Sequence, residues 1–284
     1  MKARSKPSLS RILYIAALVI LIAVFLFSAG ALIKYYTESQ QSKQTYQQLQ
    51  ALRGDYSRPA PALPTDPDLS SHPATEPVSD LVTVTDPDTG RLVQVLPELA
   101  ELYLLNTDLV GWLTIPGTSV DYPVVQRPES TDYYLYRDFY GKQDSHGCLY
   151  AREQCDVSAP SDNITVYGHR MKDQTMLGDL GKYEMRSFWQ EHQFLYFDTL
   201  TQRHTYQIIC VFTTTASVGK GFQYHLFVDA VDQEEFNSFL AGCASNRLYD
   251  TGLTAYYGDK LLTLSTCEYT QTNGRLVVVA KRID

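Results

Sequence analysis

Between Ile12 and Ile33 the chain runs for 22 residues without a charged side chain. At ~1.5 Å per residue such a run makes ~33 Å of helix, enough to cross the hydrocarbon core of a bilayer. No soluble domain hides a segment of that kind easily, so it splits the chain into a short head and a long remainder. Lys2, Arg4, Lys6 and Arg11 precede it. The positive-inside rule then keeps residues 1–11 in the cytoplasm and sends everything after Lys34 outside. The apolar run exceeds the ~7–15 residues of a cleaved signal core, so residues 12–33 are read as a retained signal anchor of a single-pass protein of the cell membrane.

Residues 34–80 read as a stalk. Tyr35–Leu52 is rich in Gln, Lys and Glu and continues the helix, and Arg58–Asp80 carries six prolines in 23 residues, the composition of a semi-extended spacer. The folded domain is expected over residues 81–284. From Asp88 onward 16 Lys and Arg stand against 25 Asp and Glu, a net charge of −9. Such a surface excludes nucleic acid as a partner, because phosphate binding needs a basic face.

Within the domain, short runs of β-formers alternate with turn residues. Strands are predicted at Gly111–Ile115, Tyr122–Gln126, Cys148–Ala151, Asn163–Tyr167, Phe194–Asp198, Thr205–Thr214, Leu261–Thr266 and Leu276–Lys281. Eight strands without regular intervening helices make a mainly β domain, either a barrel or a sandwich. Helices are predicted at Pro97–Tyr103, Met176–Phe188 and Asp232–Asn246. In the last, Asp232 and Glu235 form a capping box, while Phe236, Phe239, Leu240 and Cys243 at i, i+3, i+4 and i+7 make one apolar face.

The chemistry concentrates near the C-terminus. Leu261–Tyr269 and Arg275–Ala280 flank a turn containing Asn273-Gly274, the pattern of a β-hairpin. Pairing brings Cys267, at the end of one strand, next to Arg275, at the start of the other. A guanidinium beside a thiol favours thiolate and suits a developing oxyanion. The proton carrier such a pair needs is found 98 residues upstream, where the apolar strand Asn163–Tyr167 runs into Gly168-His169. Cys267, His169 and Arg275 thus supply a nucleophile, a proton donor and acceptor, and an electrostatic clamp. Arg170 is a rival clamp without the hairpin relation. His192, His204 and His225 are expected at the surface.

These residues resemble a known family. Thr263-Leu264-Ser265-Thr266-Cys267, Tyr167-Gly168-His169 and Arg275 with its apolar strand are similar to the sortases, membrane-anchored cysteine transpeptidases of Gram-positive bacteria. Val110–Thr118, Asp121–Gln126 and Met176–Leu180 point to class B. The resemblance covers Asn106 to the C-terminus and implies an eight-stranded sortase-like β-barrel with helical inserts, a helix before the seventh barrel strand among them. It implies cleavage of a C-terminal sorting motif of exported proteins through a thioester at Cys267, and transfer to a cell-wall precursor amine or a pilin lysine. Leu135, Thr215, Ser265 and Glu268 align with positions lining the class B groove, and Phe222–Tyr224, after Gly219 and Gly221, is placed as a movable wall. No cofactor or metal is implied.

Alternatives remain at this level. Ser145-His146-Gly147-Cys148 resembles the nucleophile motif of L,D-transpeptidases, whose upstream His-Gly is missing, the only earlier histidine being His72 in the Pro-rich spacer. Cys148 and Cys155, spaced C-x6-C, leave a disulfide open, and a zinc site at His146 lacks a second close pair of ligands. A papain-like order, Cys before His, is the reverse of this chain. A non-catalytic membrane-tethered module for peptide binding or pilus assembly is the remaining reading. With five cysteines, one thiol at least stays unpaired within the chain, and Cys267 is the choice.

Overall fold

In the computed structural model, which describes residues 9–54, 80–217, 219–270 and 273–284, the apolar run lies within one helix, α1 (Leu9–Arg53). Leu13, Phe25 and Phe27 project outward from it, and among the described residues it is the one helix long and apolar enough to cross a membrane. Lys2, Arg4, Lys6 and the Pro-rich stretch over residues 58–79 lie outside the described residues.

The chain divides into two compact units, residues 1–44 and 45–284, so the folded domain starts earlier than residue 81. The last turns of α1 belong to it. Leu49 is fully buried, the Tyr46 hydroxyl donates to the Gly147 carbonyl at 2.6 Å, and Arg53 reaches Asp121 at 3.1 Å and Asp198 at 2.9 Å. Tyr46, Leu49 and Arg53 share one helical face at i, i+3 and i+7, but with an arginine as the third and glutamines around them they make too short an apolar stripe to read as a buried face.

The hairpin β1 (Val82–Thr85) and β2 (Leu92–Val95) leads into α2 (Pro97–Leu105), whose proline occupies a first-turn position where no intrahelical N–H is needed. The barrel strands follow: β3 (Leu109–Thr114), β4 (Asp121–Val125), β5 (Leu149–Ala151), β6 (Asn163–Tyr167), β7 (Phe194–Thr199), β8 (Arg203–Thr215), β9 (Leu261–Glu268) and β10 (Gly274–Arg282). They close in the order β10-β8-β7-β3-β4-β5-β6-β9. The pairs β4–β5 and β6–β9 are parallel, the others antiparallel.

The predicted Met176–Phe188 helix is interrupted. A 3-10 turn spans Gly178–Glu184, Met185 is extended, and α3 (Arg186–Glu191) starts anew. Gly178 and Gly181 weaken an α-helix there, and a side chain at Gly181 would push the Arg170 guanidinium aside. By contrast α4 (Gln233–Asn246) begins as predicted: the Asp232 carboxylate accepts from the Glu235 N–H at 2.9 Å, and Glu235 accepts from Val231 N–H at 2.9 Å.

Strands β9 and β10 are buried on both faces. Leu262, Leu264, Leu276 and Val278 join the core shared with Trp112 and Leu149, while Leu261, Val277 and Val279 join a second core with Phe236, Phe239 and Cys243 of α4. Two buried faces explain the unbroken apolar run Leu276–Ala280 of β10. By the two-residue alternation of a strand, Ser265 and Cys267 share the face of Leu261. The nucleophile candidate therefore stands on the face covered by the segment that joins β8 to α4.

Candidate active site

The register of β9 against β10 sets Arg275 directly opposite Cys267. The guanidinium Nη1 lies 4.0 Å from the Cys267 sulfur and donates to the Gly274 carbonyl at 3.0 Å, which orients the fork along the strand end. Asn273, which closes the turn, adopts a left-handed backbone with φ 54°, a conformation asparagine tolerates better than most residues.

His169 follows β6, the parallel neighbour of β9, in which Tyr167 pairs with Ser265. Thr266 ties the two together by donating its hydroxyl to the Gly168 carbonyl at 2.8 Å. The imidazole Nε2 lies 2.7 Å from the Leu135 carbonyl. A carbonyl only accepts, so Nε2 carries the hydrogen and Nδ1 is the nitrogen left for proton exchange. Burial pushes the imidazole below its usual range; the Leu135 carbonyl opposes that shift, His146 adds to it and Asp144 opposes it.

Cys267, His169 and Arg275 line one open groove of about 360 Å³. Tyr167, Ser265, Tyr224, Tyr150, Arg152 and Glu153 also line it. The Tyr224 hydroxyl and Ser265 Oγ are 2.6 Å apart. A thiol, an imidazole with one nitrogen anchored and the other open, and a fixed cation on one open groove make an arrangement suited to acyl transfer.

A family model of the sortase domain matches residues 113–283. The chain belongs to the sortase family. It is similar to sortase B of Staphylococcus aureus, at 30% identity over 191 residues, 66% of this chain and 76% of that protein. It is also similar to sortase B of Listeria monocytogenes, at 29% over 192 residues, 67% and 76% respectively. Among solved structures, sortase B from Bacillus anthracis in complex with AAEK1 matches with a TM-score of 0.67 and 27% identity over 88% of this chain and 99% of that one. The Staphylococcus aureus sortase B-substrate complex matches with 0.61 and 30% over 67% and 86%. Class B membership brings with it cysteine transpeptidase activity of the sortase type.

Of the substrate positions proposed from sequence, Leu135 and Ser265 line the groove of this sortase, and Thr215 and Glu268 do not. Thr215 accepts from the Ser217 N–H at 3.2 Å beside the groove wall. Glu268 is buried beyond Cys267, where burial works against its charge but the Thr270 N–H and hydroxyl more than compensate, holding its pKa below the usual range. Residues that sequence reasoning missed are Tyr150, Arg152, Glu153 and Tyr167. Only Tyr167 carried a signal, two positions before His169 on the same strand. Within the Phe222–Tyr224 wall, Tyr224 is 3% exposed and Phe222 N–H donates to Thr214 at 2.9 Å, so this wall is seated on β8 and β9.

The rival groups lie elsewhere. Cys148 is 2% exposed and its thiol, pushed up to about 12 by burial, points at the Pro123 carbonyl 3.8 Å away, which removes it as a nucleophile. Cys155 is likewise buried, and neither forms a disulfide. Arg170 is paired with Glu184 at 2.8 Å. His204 is buried against Asp284 at 3.2 Å and His225 lines the groove, so these two correct the expectation of surface histidines; His192 stacks on Phe188.

Proposed function

We propose that this sortase cleaves a C-terminal sorting motif of exported proteins with Cys267 as nucleophile, His169 as proton carrier and Arg275 as clamp, and hands the acyl group to an amine of the cell envelope. The observation that carries this reading is the direct pairing of Cys267 with Arg275 on the groove that His169 also lines.

The Cys267 thiolate attacks the scissile carbonyl, whose oxygen gathers negative charge within reach of the Arg275 guanidinium. The C–N bond then breaks, and protonated His169 delivers its Nδ1 proton to the departing amine. A thioester remains. An acceptor amine, from a cell-wall precursor or a pilin lysine, attacks it and loses a proton to neutral His169, while the C–S bond breaks and releases the Cys267 thiolate beside the reprotonated ring. Leu135 and Ser265, with Tyr167 and Tyr224 beside them, would contact the bound peptide. Helix α1 would hold the enzyme on the membrane by residues 12–33, with the N-terminus cytoplasmic and the barrel outside.

The test is incubation with a library of sorting-type peptides followed by mass spectrometry of the intact protein. An acyl adduct on Cys267 that an added amine discharges is expected. A library that leaves no adduct while the thiol also fails to react with a small disulfide would return the chain to peptide binding without catalysis.

A further inference from the structure

The acyl-transfer steps make no use of the Ser145–Cys148 segment, yet it is built tightly around the catalytic histidine's support. The His146 side chain is completely buried. Its Nδ1 lies 3.2 Å from Asp144 Oδ1, while Asp144 Oδ1 also accepts the His146 backbone N–H at 2.8 Å. On the other side of the ring, Nε2 has no hydrogen-bond partner among the described residues, and Asp173 Oδ2 stands 3.6 Å from it. A buried polar nitrogen without a partner costs ~1–3 kcal/mol. Hydrocarbon at this position would avoid that cost altogether, so a polar ring set between two carboxylates calls for a reason beyond packing.

Asp173 belongs to the loop that His169 opens, and is itself held there by accepting from the Thr175 hydroxyl at 2.6 Å. The second link runs through the backbone. Gly147 has φ 62°, and a Cβ on it would collide with the Leu135 carbonyl and lie 2.7 Å from the Tyr134 carbonyl. Asp144 N–H donates to the Tyr136 carbonyl and Cys148 N–H to the Tyr134 carbonyl, both at 3.0 Å. Residues 134–136 are thus gripped from either side by the 144–148 turn, and the Leu135 carbonyl so held is the acceptor for His169 Nε2.

We propose that His146 is a positioning residue for His169: bridging Asp144 and Asp173, it ties the 144–148 turn to the 169–176 loop and keeps the Leu135 carbonyl and the His169 ring aligned. The proposal rests on His169 being the proton carrier. His146 touches neither the groove nor Cys267; it acts through the carbonyl and the loop. Both His146 and Asp144 also act on the charge of the His169 ring, with opposite signs.

The test uses the full-length protein in detergent micelles, labelled with 15N-histidine, and compares His146→Leu and His146→Gln with wild type. For the Leu variant the expected result is a loss in kcat of ~10-fold, with KM within ~2-fold, as a slightly misplaced catalytic group gives. The hydrogen-bonded Nε2–H resonance of His169 should broaden by solvent exchange in the same variant. His146→Gln, which keeps a donor between the carboxylates, should recover most of both. Cys243→Ala, a destabilising change in the other core, should leave the resonance intact. If the Leu variant keeps kcat and a sharp resonance, or if Cys243→Ala loses the resonance equally, the proposal falls. Should the Leu variant fail to fold, Asp173→Asn removes one half of the bracket and must broaden the same signal, or the proposal falls. A wild type that cleaves no peptide would sink the catalytic reading alone, since the resonance reports the link without turnover.

Discussion

Cys267 at the end of β9 and Cys148 at the start of β5 are the same side chain in two settings of one barrel. Cys267 is part-exposed on the groove with a guanidinium 4.0 Å away. Cys148 is sealed against Tyr46 and the Pro123 carbonyl, with a thiol pushed up to about 12. At that value only about one molecule in ~10⁵ is thiolate at neutral pH, and the thiolate is the nucleophile. The difference teaches that the local motif around a cysteine says little about its reactivity. Position relative to a barrel end, and a fixed cation beside it, decide.

The largest expected break in this comparison comes from exchanging the two roles. Cys267→Ala should abolish acyl-enzyme formation, a loss of at least ~10³-fold in transfer rate, with the melting temperature nearly unchanged. Cys148→Ala should leave the rate within ~2-fold and cost ~1–2 kcal/mol of stability in chemical denaturation. Persistent acyl-enzyme in the first, or loss of turnover in a folded second, would reverse the assignment.

Removing the cation is the next step down. Arg275→Ala should lower kcat by ~10²–10³-fold, the effect of losing one oxyanion donor. Arg170→Ala should leave kcat within ~3-fold, because that guanidinium is engaged by Glu184. Equal losses in single-turnover acylation would mean that both cations serve the groove.

A pH titration sharpens the contrast further. His169 is held below ordinary histidine values, chiefly by burial. Acylation needs a thiolate and a protonated His169 together, so its rate should rise with pH as the thiol ionises and level off at a break below the ordinary histidine value, and His169→Gln should erase that break in stopped-flow acylation. The stability sign follows from the same direction. A ring kept neutral in the fold binds its proton more readily when unfolded, so this contribution is fully present above the unfolded value near ~6.5 and is lost as pH falls through the folded value.

The smallest effect is expected at Tyr224 in the groove lining. Tyr224→Phe breaks the 2.6 Å contact to Ser265 and should cost ~1 kcal/mol of stability, with KM for a cleaved peptide rising by no more than a few-fold.

Much of this molecule was legible in one dimension. Strand alternation, the Asn273-Gly274 turn and the capping residues Asp232 and Glu235 are local signals, so the barrel strands, the β9–β10 hairpin and α4 stand close to where periodicity puts them. The pairing of Cys267 with Arg275 is local too, being set by hairpin register. Two helical features failed for identifiable reasons: glycines broke Met176–Phe188, and a face of only three anchors, one of them an arginine, hid Thr45–Arg53 inside an apparent stalk. The Leu135 carbonyl is a backbone group 34 residues from the imidazole it orients, and no side-chain pattern announces it.

The chain's own composition and periodicity therefore determined that there is a membrane-length apolar helix, a β domain and a thiol beside a guanidinium, because each depends on residues near one another along the chain. Closure of the barrel decided the rest. Only when parallel β6 lies against β9 does His169 join Cys267 on one groove, and only burial across the barrel distinguishes the thiol at the strand end from four that are shut inside. Burial depends on what distant segments stack against a residue, which no local pattern encodes.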